Sequence, residues 1–150
     1  MDLKLELLEY QEIAIKSVVN VFDGSVKNTF DNASVDGIRS NFCSLTPEQI
    51  TENIKTVLKE NALNEGVAKI TNDQELTIEM ETGTGKTLVY IKSIYELFKH
   101  YGFTKFIILV PSVAIRQGVL STLSTFEKQL EDIYGFGFRA FDFPKPAAIN

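Results

Sequence analysis

Residues Glu79 to Thr87 read Glu-Met-Glu-Thr-Gly-Thr-Gly-Lys-Thr and constrain the fold of this chain more than any other stretch. An alternating apolar run (Leu76, Ile78, Met80) precedes the glycines, and apolar residues at helical spacing (Leu88, Ile91, Ile94, Tyr95) follow them. That order predicts a strand, a glycine loop and a helix, the context in which a backbone can wrap an anion. Gly83 and Gly85 can take backbone angles closed to other residues, so successive N–H groups can turn inward. The positive end of the following helix would add to the same site. Thr82, Gly83, Thr84, Gly85, Lys86 and Thr87 are therefore the candidate cradle for a nucleoside triphosphate. Lys86, the candidate catalytic residue, would neutralise the β- and γ-phosphates, and the Thr87 hydroxyl would ligate Mg²⁺. The general pattern has a further glycine where this chain has Met80, which leaves the stretch from Thr82 to Thr87 intact. The plainer alternative is a glycine turn with no ligand.

The remaining composition narrows the class without deciding it. With 150 residues, 44% of them hydrophobic and 23% charged, the chain fits one soluble domain with a real core. The longest apolar run, residues 106–110, is too short to span a bilayer, and the charged N-terminus does not read as a secretory signal. Cys43 is the single cysteine, which excludes an internal disulfide and suits a reducing cytoplasm. His100 is the single histidine and is expected as a solvated helix-end residue. The net charge of −5 does not point to nucleic acid, but a motor that grips a backbone in a cleft needs only local positive groups.

Apolar periodicity predicts an amphipathic helix over residues 7–22, stopped by Asp23-Gly24, then an irregular segment over 24–45. Thr46, Pro47 and Gln49 form a helix start with a capping box, and the helix is expected to run to the turn at 64–66. A further turn is expected at 71–74. From residue 76 the pattern alternates: strand 76–80, loop, helix 86–101, strand 105–110, helix 113–134 and a possible strand 137–143. Strands alternating with helices predict an α/β fold with a parallel sheet, preceded by N-terminal helices. The chain divides on this reading into a helical region, 1–75, and a βαβαβ region, 76–150, of one lobe.

These stretches resemble a known family. Residues 80–87, Met-Glu-Thr-Gly-Thr-Gly-Lys-Thr, are similar to motif I of superfamily-two helicases, and their wording is most like the Res subunit of type III restriction enzymes. Tyr10-Gln11 followed by Ala14 resembles the Q-type element of such motors, and Val110-Pro111-Ser112-Val113-Ala114-Ile115-Arg116 resembles motif Ia. The resemblance implies a partial RecA-like lobe that binds ATP and Mg²⁺, with Gln11 reading adenine through its donor and acceptor faces. It also implies that Ser112 and Arg116 touch a nucleic-acid backbone, that double-stranded DNA is the track, and that a modification (methyltransferase) subunit is the partner. Gln11 could equally be a solvated helix residue, and Ser112 could simply cap the helix it begins.

Other features are absent. Motors of this kind need an Asp-Glu pair for hydrolysis and an arginine from a second lobe, and this chain has no Asp-Glu dipeptide. The chain is therefore expected to be the N-terminal part of a first motor lobe, able at most to bind nucleotide. Residues 136–143, rich in phenylalanine, are expected to form an exposed last strand. Another superfamily-two motor, a small P-loop kinase or GTPase, and a nucleotide-binding module without turnover remain the alternatives.

Overall fold

The computed structural model describes residues 6–29, 31, 34–35, 38–64 and 75–142. Among the described residues, four helices carry the architecture: α1 (Glu9–Asn20), α2 (Pro47–Glu60), α3 (Lys86–Tyr101) and α4 (Val113–Tyr134). Helices α2 and α4 start at residues whose side chains cap them. The Thr46 hydroxyl accepts from the Gln49 amide at the head of α2 while the Gln49 side chain accepts from the Thr46 amide. Ser112 accepts from the Ile115 amide at the head of α4. In α1, Gln11 supplies half of such a box, its side-chain oxygen accepting from the Leu8 amide at 3.0 Å. Helix α2 stops at Glu60, short of the expected end at 64–66, and Glu65, Gly66 and the turn at 71–74 lie outside the described residues.

Helix α3 is the central element because it is apolar on two sides. Val89, Ser93, Leu97 and Tyr101 recur every four residues and face α1, where Ile15 and Val19 complete a buried cluster with Phe103. Ile91 and Tyr95 lie on the other side and meet Leu130 of α4. Ser93, buried in this setting, satisfies its hydroxyl on the Val89 carbonyl one turn back. Where α3 ends, Gly102 turns with φ +67° and donates to the Phe98 carbonyl. A side chain there would collide with the Asn28 backbone. Asn28 is itself buried, and it fastens the end of α3 through its amide and side chain, both donating to the Tyr101 carbonyl at 2.8 Å.

The expected parallel sheet is not formed. Among the described residues the only β pairing is an antiparallel one, Ser34–Val35 against Ile38–Arg39. Residues 76–80, 105–110 and 137–142 are not strands, and Phe143 lies outside the described residues. The α/β, RecA-like class is thus corrected to a helical architecture. The physical reason is that a strand exists only through a ladder with a neighbour, and no backbone hydrogen bond among the described residues joins these segments. Thr104 and Lys105 instead give their amides to the side-chain oxygen of Asn41, whose side-chain nitrogen donates to the Lys105 carbonyl. Beyond that point the run meant to be buried on both faces is open, with Ile107 88% and Leu109 89% exposed.

The phenylalanine-rich tail also departs from expectation. Phe136 and Phe138 fold back against Tyr95, with ring centroids 5.4 and 4.8 Å apart, and only Phe141 of the described phenylalanines there is largely exposed. The apolar side chains are better served by the α3–α4 seam than by a free edge. No helix among the described residues is long and apolar enough to cross a membrane.

Candidate functional site

The glycine loop lies between a segment without regular secondary structure and a helix. Gly83 and Gly85 both have positive φ, +83° and +84°, and Lys86 begins α3 immediately after. Left-handed backbone at alternate positions costs little only for glycine, and it reverses the peptide planes of the loop. Among the described residues no backbone carbonyl is bonded to the amides of Gly83, Gly85, Lys86 or Thr87. These amides, with the positive end of a helix of 16 residues, are the donor set an anion requires. A Cβ built on Gly83 meets nothing, so the space over the loop is open at that point.

Two side chains of the loop bond backbone carbonyls of the segment that enters it. The Lys86 ammonium donates to the carbonyls of Met80 and of Glu81, the latter at 2.9 Å. The Thr84 hydroxyl donates to the same Glu81 carbonyl at 2.6 Å. Lys86 is exposed and Thr87 half-buried at the first turn of α3, so both can reach a group seated on the loop. Thr82 is exposed on the segment entering it.

Helix α1 closes one side. The side-chain amide of Gln11 donates to the Thr84 carbonyl at 2.8 Å, and the Tyr10 hydroxyl donates to the same oxygen at 3.2 Å. Gln11 is buried, against the reading of a solvated helix residue. Its oxygen is engaged by Leu8 and its nitrogen by Thr84, which leaves one lone pair and one proton for any further partner. A Cβ at Gly85 would meet the Gln11 amide, so the glycine also permits this approach. Gln11 thus meets the glycine loop at Thr84.

Ser112 and Arg116 form a separate place at the start of α4. Ser112 is the helix cap, through the 3.3 Å bond from the Ile115 amide. Arg116 faces Asp142, with 3.6 Å between the guanidinium and the carboxylate, and its buried Nε has no partner among the described residues. No hydrogen bond or ion pair among the described residues joins this pair to the glycine loop. Tyr10 and Asp142 are the residues that pattern reading missed. Tyr10 stands beside Gln11 in the motif, but nothing in sequence marks a hydroxyl that meets a carbonyl 74 residues away.

His100 lies at the far end of α3, half-exposed, 3.3 Å from the Glu96 carboxylate. That carboxylate also accepts from the Tyr134 hydroxyl at 2.7 Å. Burial first, then Glu96, pushes the Tyr134 phenol far above its ordinary range. These contacts join α3 to α4 and stand away from the loop.

Comparison with known proteins places the chain. The family described as type III restriction enzyme, res subunit, matches residues 4–137. The Res subunit of the EcoPI type III restriction-modification enzyme of Escherichia phage P1 is 34% identical over 123 residues, which are 79% of this chain and 12% of that protein. The EcoP15I Res subunit of Escherichia coli is 35% identical over the same length and shares. The StyLTI Res subunit of Salmonella typhimurium is 29% identical over 125 residues, 83% of this chain and 10% of that protein. The chain thus spans about an eighth of the length of the relatives it matches.

Proposed function

The chain belongs to the family of type III restriction enzyme Res subunits, and we propose that it is the ATP-binding part of an ATP-dependent DNA translocase of such an enzyme. The observation that carries this is the arrangement of Gly83 and Gly85, both left-handed, directly before the first turn of α3. The amides of that turn, the Lys86 ammonium and the Thr87 hydroxyl suit a triphosphate with its Mg²⁺. Bound Mg²⁺ would supply charge neutralisation between the phosphates, with Thr87 holding it. Lys86 would exchange the carbonyls of Met80 and Glu81 for phosphate oxygens, a stronger charge-assisted pairing. Gln11, with one lone pair and one proton uncommitted, would meet the adenine edge.

In the whole protein, double-stranded DNA would be the track and the modification (methyltransferase) subunit the partner, in the cytoplasm. Ser112 and Arg116 are the proposed contacts with the DNA backbone, through the head of α4 and the guanidinium. The 150 residues contain no Asp-Glu pair to hold the metal and direct water, so this chain binds nucleotide without appreciable turnover. The test is a calorimetric titration with MgATP, wild type against Lys86→Ala, beside an assay of DNA-stimulated phosphate release. Saturable binding lost in Lys86→Ala, with no phosphate release above background, is expected. Robust release abolished by Lys86→Ala would overturn the claim that the chain only binds.

A further inference from the structure

We infer that Tyr10 is a positioning residue for the phosphate loop: its hydroxyl, together with the Gln11 amide, fixes the direction of the Gly85 N–H by holding the Thr84 carbonyl. The inference rests on the proposed triphosphate site. Thr84 and Gly85 share one peptide plane, and no cis peptide is present among the described residues, so the Thr84 oxygen and the Gly85 hydrogen point in opposite directions. The oxygen is held on the α1 side by two donors, at 3.2 Å from Tyr10 and 2.8 Å from Gln11. The Gly85 N–H is thereby turned away from α1. Without such anchors this plane is free to rotate, because residues with glycine's freedom flank Thr84 on both sides. A rotated plane would present a carbonyl oxygen where the site needs a donor, and a carbonyl repels phosphate.

Several features favour Tyr10 as the adjustable member of the pair. Gln11 is buried and committed to the cap of α1 through Leu8, whereas Tyr10 is 43% exposed and has no hydrogen-bonded partner other than Thr84 among the described residues. Loss of its hydroxyl therefore removes the contact without opening the core. The helix that carries both residues reaches the loop across the whole of the intervening chain, so packing of α1 on α3 and orientation of the loop are one arrangement.

The test uses the intact chain and three Mg²⁺-loaded probes: ATP, GTP and inorganic tripolyphosphate. Tyr10→Phe is expected to weaken all three by the same factor, about fivefold, since a neutral hydrogen bond that orients a donor is lost and no base contact changes. The amide proton resonance of Gly85 in ¹⁵N-labelled protein is expected to move on adding tripolyphosphate to wild type, and to move less in Tyr10→Phe. Equal tripolyphosphate affinity in both proteins, with the Gly85 resonance responding identically, would overturn the inference while leaving the nucleotide site standing. A weakening confined to ATP would overturn it as well, since that marks a base contact. Failure of wild type to bind any of the probes would instead remove the triphosphate reading beneath it.

Discussion

The side-chain amide of Gln11 donates to the Thr84 carbonyl at 2.8 Å, joining residues 73 positions apart in the chain. The same side chain caps α1 by accepting from Leu8, so one buried group serves a helix end and a loop at once. Gln11→Leu removes both bonds and leaves the Leu8 amide without its acceptor. The expected loss is about 1–3 kcal/mol of unfolding free energy by urea titration. ATP binding should fall further than tripolyphosphate binding, because the proposed adenine contact goes as well. Equal losses for the two would argue that Gln11 acts on the loop alone.

Asn28 is the second long-range fastening. It accepts from the Phe42 amide at 2.7 Å and donates to the carbonyls of Phe42 and Tyr101. Asn28→Ala removes all three side-chain bonds, leaving the Phe42 amide and carbonyl without this partner while the Asn28 amide still holds Tyr101. A loss of about 1–3 kcal/mol is expected from urea unfolding. A change below about 0.5 kcal/mol, the usual range for surface substitutions, would contradict this account of how α3 is anchored.

Alkaline pH tests the seam between α3 and α4. Burial raises the phenols of Tyr95 and, most strongly, Tyr134 in that seam, and of Tyr101 on the side of α3 that faces α1. A phenol raised in the folded state contributes stability that is complete below its unfolded pKa, ~10, and is lost as pH climbs past it. Burial lowers Lys92, so its charged form is disfavoured on folding and that cost disappears as pH rises. The phenols outnumber the amine, and melting temperature should fall steeply above pH ~10. Tyr134→Phe should start lower at neutral pH by about 1 kcal/mol, having lost its bond to Glu96, yet decline less steeply. Identical slopes for the two proteins would contradict the assignment to Tyr134.

The helices were legible because their signals are local. Thr46, Pro47 and Gln49 announce the start of α2, and the helical spacing of Leu88, Ile91, Ile94 and Tyr95 announces α3. Of these four only Ile91 and Tyr95 are buried, and the side that meets α1 (Val89, Leu97, Tyr101) was not read from that spacing. Strands are different, since alternation at 76–80 or an apolar run at 106–110 states only that a ladder would be acceptable. The neighbour that would supply it is a non-local fact, and Asn41 takes the available amides of Thr104 and Lys105 instead. Within the site, the glycines and Lys86 were readable from spacing. The convergence of Tyr10 and Gln11 on one carbonyl was not, since it depends on how α1 lies against α3.

Arg116 and Asp142 give a prediction about nucleic acid. Their pairing places an acid beside the residue proposed to meet DNA. Exposed ion pairs are worth about 0–1 kcal/mol, so removing the acid should improve retention of duplex DNA only a fewfold. In Asp142→Asn, fluorescence anisotropy with a labelled duplex at low salt is expected to show that gain, and Arg116→Ala is expected to show a loss. No change in either variant would remove this end of α4 from the proposed interface.

The most direct measurement is calorimetry of MgATP binding to the chain, wild type beside Lys86→Ala. One saturable site in wild type, weakened by about tenfold or more in Lys86→Ala, is the expected result, since a charge-assisted contact to the phosphates is lost. No saturable heat in wild type, or equal affinity in a well-folded Lys86→Ala, would contradict the assignment of the Gly83–Lys86 loop as a nucleotide site.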